Sequence, residues 1–178
     1  MNKIDAETKI IKIENEDEKK VARFLLNLEL EFIDCNLQIG ELKHNLLGEI
    51  DLLYKFQDYL FLIEVSKKTN ANEKRFGFFT KWTDEDILKW ITEQYKLQPK
   101  KIFRIYFEMN AQKPQSFPSP LLEKMTKKGK RNLVIYSNQF ENLEKINSND
   151  ARNEFLNSLK SVESDSLMTT LKRYFRKN

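Results

Sequence analysis

Val21, Phe24, Leu25, Leu28 and Phe32 recur at the spacing of one helical face, which predicts a first helix within residues 14–30. Glu14, Glu16, Asp17 and Glu18 crowd its opening turn, at the positive end of the helix dipole. Glu14 and Glu18 lie seven residues before Val21 and Leu25, so both are expected to point along the buried stripe. From residue 31 the pattern turns extended, with three strands at roughly 32–39, 46–56 and 59–66, punctuated by Gly40 and Gly48. The stretch from Lys67 to Lys81 is polar and basic, holds Phe76, Phe78 and Phe79, and reads as a loop. Thr83 with Asp86 three positions on resembles a capping box, and Ile87, Trp90, Ile91 and Tyr95 form one stripe, so a second helix is expected at about 84–97. KIFRIYFEM at 101–109 and NLVIYS at 132–137 are rich in aromatic and β-branched residues and read as interior strands. Between them lie Pro114, Pro118 and Pro120, then a short helix ending in Lys124, Lys127, Lys128, Lys130 and Arg131. Helical patterns at 139–160 and 164–175 close the chain, with Phe140, Leu143, Phe155, Leu156 and Leu159 as apolar contacts. Strands in sequence followed by strand–helix alternation give an α/β fold, a mixed central sheet flanked by helices.

Composition narrows the chemistry. The chain has 178 residues, enough for one domain with a substantial core. Its 13 Phe, 6 Tyr and 2 Trp exceed what disordered chains carry. No apolar run reaches the ~20 residues of a membrane helix and no apolar leader follows Met1, so a cytoplasmic protein with no membrane partner is expected. With Cys35 and His44 each the sole residue of its type, cysteine or histidine metal clusters are excluded, and any metal must be held by oxygen. Cys35 reads as a small core residue and His44 as a surface loop residue. No Ser-His-Asp set or phosphate-binding glycine loop is present. The net charge of +4 does not by itself diagnose nucleic-acid binding.

The informative segment is GEIDLLYKFQDYLFLIEVSKK, residues 48–68. Side chains alternate along a strand, so Glu49, Asp51 and Leu53 share one face, and Leu62, Glu64, Ser66 and Lys68 share another. If the hairpin turns about Gln57–Asp58, Asp51 falls opposite Glu64. Opposed residues have Cβ atoms ~5 Å apart, and two carboxylates there repel by about 3 kcal/mol at an effective dielectric of 20. Either one acid stays protonated or a cation sits between them, and Mg²⁺ prefers such hard oxygen ligands. A solvated polar face would also explain scattered charges. Glu64 argues against that reading, because it lies within LFLIEV, where an acid without a task is costly to bury.

An acidic helix, a Gly-Glu-Ile-Asp strand, and an acid a dozen residues later in an apolar strand followed by lysine resemble the PD-(D/E)XK nuclease superfamily. The likeness is to its restriction-endonuclease-like fold, with an α-β-β-β-α-β core, and to the branch of Holliday-junction-resolvase-like and restriction-type nucleases. It covers roughly residues 14–110. The resemblance implies that Asp51 and Glu64 are metal ligands and that Glu18 is the acid of the first helix, the three holding Mg²⁺ or Mn²⁺. The lysine of the family normally stands two residues after the second acid, where this chain has Ser66. Lys68, on the Glu64 face, is the substitute favoured by strand geometry; Lys67 serves if the strand ends or bulges, and Lys81 reaches in from the next helix. A solvated strand end is the competing reading of Lys67 and Lys68.

The function so implied is metal-dependent hydrolysis of DNA, as an endonuclease of restriction, defence or repair. Its alternative is a catalytically impaired module of the same fold that binds nucleic acid or a protein. Lys74, Arg75 and Lys81, interleaved with Phe76, Phe78, Phe79 and Trp82, are candidate DNA contacts, and packing of the aromatics over the second helix is the plainer reading of Phe78, Phe79 and Trp82. The basic runs at 124–131 and 172–177 read as solvated tails or phosphate contacts. By analogy with nucleases that cut both strands, a homodimer is expected. Residues 1–138 are expected to form the nuclease-like domain and 139–178 a helical extension packed on it, whose basic end LKRYFRKN suits a link to a further domain.

Overall fold

The computed structural model describes residues 3–39, 48–67, 72–110 and 131–164. Two helices, α1 (Lys3–Ile11) and α2 (Glu16–Asn27), lead into β1 (Glu31–Ile39), β2 (Gly48–Phe56) and β3 (Tyr59–Ser66). Two more, α3 (Asn72–Thr80) and α4 (Asp84–Tyr95), precede β4 (Lys101–Glu108). The chain continues through β5 (Asn132–Tyr136), α5 (Ser137–Lys145) and α6 (Ser148–Ser164). The strands form one sheet in the order β1-β2-β3-β4-β5. The first three are antiparallel, and β4 and β5 join parallel to β3. The fold is therefore α/β with a mixed sheet flanked by helices. Among the described residues no helix is long and apolar enough to cross a membrane.

Each face of the sheet carries its own core. On one, Leu52, Tyr54, Phe61, Ile63, Phe103, Ile105 and Phe107 meet α1, α2, α5 and α6 through Ile10, Val21, Leu25, Phe140 and Phe155. On the other, Leu53, Leu60, Leu62, Ile102 and Tyr106 meet Phe78, Phe79, Trp82, Ile87 and Ile91 of the α3–α4 segment. Tyr54 sends its hydroxyl to the Ala22 carbonyl at 2.7 Å, fixing α2 on β2.

Several expectations are corrected. The N-terminal helical region is two helices, and Ala6 and Ile10, with Ile13 beyond the helix end, form the stripe of the first. Glu14 precedes the Asn15 cap of α2 and is exposed instead of lying along the buried face. Residues 72–80, read as loop, are helical: Arg75, Phe78 and Phe79 are buried at helical spacing, with Trp82 following. Among the described residues β5 stands at the edge of the sheet, paired with β4 alone. The capping box forms as expected, with Asp86 N–H donating to Thr83 Oγ1 (3.1 Å) and Thr83 N–H to Asp86 Oδ2 (2.8 Å). Cys35 packs half-buried against the α2-side core. Gly40, His44, Lys68, the three prolines from 114 to 120, the basic run through Lys130 and the segment 165–178 lie outside the described residues.

Candidate metal and catalytic site

The β2–β3 hairpin turns at Gln57 and Asp58, with Gln57 at φ 54°, the positive angle a two-residue hairpin turn requires at its first central position. Its ladder runs from Phe56 opposite Tyr59 to Leu52 opposite Ile63. This is the register expected from the sequence, and Asp51 and Glu64 occupy the next step. There the ladder stops. Val65 N–H donates to the Asp51 carboxylate, Oδ2, at 2.6 Å, so a side chain takes the place of a backbone partner where β2 leaves β3. The β1–β2 pairing likewise steps from Cys35–Leu52 to Leu37–Ile50, and Asn36, across from Asp51, has φ 52°.

Both acids are buried, Asp51 6% and Glu64 4% exposed. Burial raises Glu64 to about 7, and the Asp51 charge adds to the rise. Burial also raises Asp51 to about 6, partly offset by the Val65 N–H and by Lys74. Glu18, near the start of α2, is raised to about 7, by burial first and then by the Asp51 charge. Its Oε1 accepts from Asn15 Nδ2 at 2.6 Å, which ties it to the cap of its own helix. Glu49 adds repulsion to all three. The ionised forms of Glu18, Asp51 and Glu64 are therefore disfavoured at this end of the sheet, by burial first and then by neighbouring negative charge.

The cation beside them is Lys74 of α3, whose ammonium pairs with Glu64 Oε1. Burial pulls on that ammonium most, but the Glu64 hydrogen bond and the charges of Glu64 and Asp51 lift it above the ordinary lysine value. Lys67 points elsewhere, to Asp17 at 2.9 Å, and is 62% exposed. Lys81 lies over the Trp82 ring, 5.3 Å from its centroid. Arg75 is withdrawn from any ligand: fully buried, it donates to Glu108 Oε2 at 2.8 Å and reaches the Tyr136 hydroxyl at 3.4 Å. Its expected contact with DNA is corrected to a buried ion pair that holds α3 against the ends of β4 and β5. Ser66 is buried on the Glu64 face and brings no charge. Across β3–β4, Tyr106 pairs with Glu64 and Glu108 with Ser66. Sequence reasoning missed Tyr106, whose only signal is its position in an interior strand.

Gly48, at the start of β2, lies beneath Trp82. A Cβ there would penetrate the indole ring and come within 2.8 Å of Lys81 Nζ. The glycine is needed for this close approach of the α3–α4 connection to the start of β2.

Among the described residues no three His, Cys, Asp or Glu side chains converge into a ready ligand set. Mg²⁺ does not require one, because it keeps several waters and is held by one or two carboxylates together with substrate phosphate. Asp51 and Glu64, both oxygen donors, buried and mutually repelling, suit such an ion, with Glu18 at its margin.

No family model matches the chain, and no curated protein matches it. Among solved structures it is similar to the small subunit (R.BspD6I2) of the heterodimeric restriction endonuclease R.BspD6I, at 13% identity and TM-score 0.48, over 92% of this chain and 89% of that one.

Proposed function

We propose that the chain is a metal-dependent nuclease that hydrolyses phosphodiester bonds in DNA, in restriction, defence or repair. One observation carries the reading: two neighbouring carboxylates, Asp51 and Glu64, are buried at the point where β2 parts from β3, in strands otherwise filled by apolar side chains. Mutual repulsion of that pair costs about 3 kcal/mol at an effective dielectric of 20, a cost that an ion shared between them would offset. Asp51 and Glu64 would hold Mg²⁺ or Mn²⁺, with Glu18 as third acid. Held there, the ion would supply an acidified water and neutralise phosphate charge. In the reaction the water oxygen bonds to phosphorus and the bond from phosphorus to the leaving oxygen breaks. The proton lost by the water is matched by one gained at that oxygen, leaving a phosphate on one end and a hydroxyl on the other.

A second reading, a binding module without catalysis, is favoured by Ser66 at the expected lysine position. Plasmid, linear and single-stranded DNA incubated with Mg²⁺ or Mn²⁺ separate the two. Cleavage by the intact protein that disappears in Asp51→Asn and Glu64→Gln supports the nuclease. DNA binding that persists in all three proteins without any cleavage supports the module.

A further inference from the structure

We propose that Lys74, carried on helix α3, supplies the positive charge that Ser66 cannot. The inference rests on the nuclease reading and deepens it. Three features of the fold bring Lys74 there. The chain leaves β3 after Ser66 and returns as α3, whose buried side chains Phe78 and Phe79 pack beside Tyr106, the neighbour of Glu64 in the sheet. Arg75, the next residue after Lys74, is locked by Glu108 at 2.8 Å with both side chains buried, which fixes the first turn of α3 relative to the strand ends. Lys74 then extends to Glu64 Oε1 while remaining about half exposed, 47% against 5% for its partner. A lysine so placed combines a fixed root with a partly exposed side chain.

Lys67 and Lys81 do not compete for the place. Lys67 turns away to Asp17, and Lys81 rests against Trp82. The chemistry explains why the exchange is tolerated. The charge needed beside a reacting phosphate is a matter of position and not of which backbone holds it, and a four-carbon stem spans the gap from a neighbouring helix. Glu64 keeps Lys74 aimed at the site. An ammonium there donates to the attacking water or to a non-bridging phosphate oxygen, where it stabilises charge that grows during the reaction.

The test uses the full chain and two readouts: Mn²⁺ affinity by calorimetry, and kcat and KM for plasmid cleavage. For Lys74→Ala we expect Mn²⁺ affinity unchanged or tighter, since a competing cation is gone, KM little changed, and kcat down about 100-fold or more, the usual cost of losing one charge-stabilising donor. Adding Ser66→Lys to that variant should recover about tenfold or more of the lost rate, because it returns the charge to the Glu64 face of β3. A Lys74→Ala protein that cuts within about threefold of the parent, well inside the loss expected for such a donor, overturns the proposal. So does one that loses Mn²⁺ binding in step with cleavage, which would make Lys74 structural. Failure of the intact protein to bind Mn²⁺ is a different result: it removes the nuclease reading itself and this inference with it.

Discussion

Asp51 and Glu64 are stable where they stand only because other groups answer their charge. For Asp51 the answer is partly the Val65 N–H, and for Glu64 it is Lys74. Glu18 has the Asn15 amide and, more weakly, the Lys74 charge, and its raised value, about 7 against an ordinary 4.5, has a definite sign. Between those two pH values the folded protein keeps a proton that the unfolded chain releases, so the contribution of Glu18 to stability falls as pH rises through that window. In chelator, Glu18→Gln is therefore expected to raise the melting temperature at pH 8 and leave it unchanged at pH 4. Equal shifts at both pH values would show that Glu18 does not carry the repulsion assigned to it. Legibility at this scale was uneven. Asp51 and Glu64 stand out in the sequence because an acid inside LFLIEV contradicts its surroundings. Lys74 does not, since nothing in a basic stretch marks which lysine a later helix will fold back onto a strand. Arg75, its neighbour, looks like the same kind of residue and is buried.

At the scale of elements, the hairpin and the α3 helix show what pattern reading reaches. The β2–β3 register follows from a two-residue turn and period-two alternation, both local, and the structure reproduces it. Helix α3 was hidden because one member of its buried stripe is an arginine: within Asn72–Thr80 the stripe is Arg75, Phe78 and Phe79, and without Arg75 it reduces to two adjacent phenylalanines. The burial of Arg75 depends on Glu108, a partner 33 residues away. Arg75→Met leaves the Glu108 carboxylate buried and unpaired, which is expected to cost about 3–5 kcal/mol in urea unfolding. The double variant Arg75→Met with Glu108→Leu should recover much of that loss, because a well-packed apolar pair replaces a buried ion pair at little cost. If the double variant is as unstable as the single, the pair is not what holds α3. The approach of Trp82 to Gly48 makes a second expectation. Gly48→Ala must displace the indole and is expected to destabilise the fold by about 1–3 kcal/mol, the usual range for overpacking, read in the same urea experiment.

For the whole molecule, the sheet order β1-β2-β3-β4-β5 places the acids where the antiparallel strands give way to the parallel ones. Helix α2 approaches that place from one face and α3 from the other, so Glu18 and Lys74 reach the same charges from opposite layers. The α/β class and the mixed sheet were legible because alternating strand and helix patterns constrain topology. The helices α5 and α6 were legible as helices, and their contribution of Phe140 and Phe155 to the same core as Phe24 and Phe61 emerges only from the fold. The central claim is that Asp51 and Glu64 share a divalent ion, and a calorimetric titration of Mn²⁺ into the intact protein and into Asp51→Asn and Glu64→Gln tests it most directly. The account predicts saturable binding in the parent that is lost in both variants while their melting temperatures are not lowered. Binding of equal strength in all three proteins would contradict it.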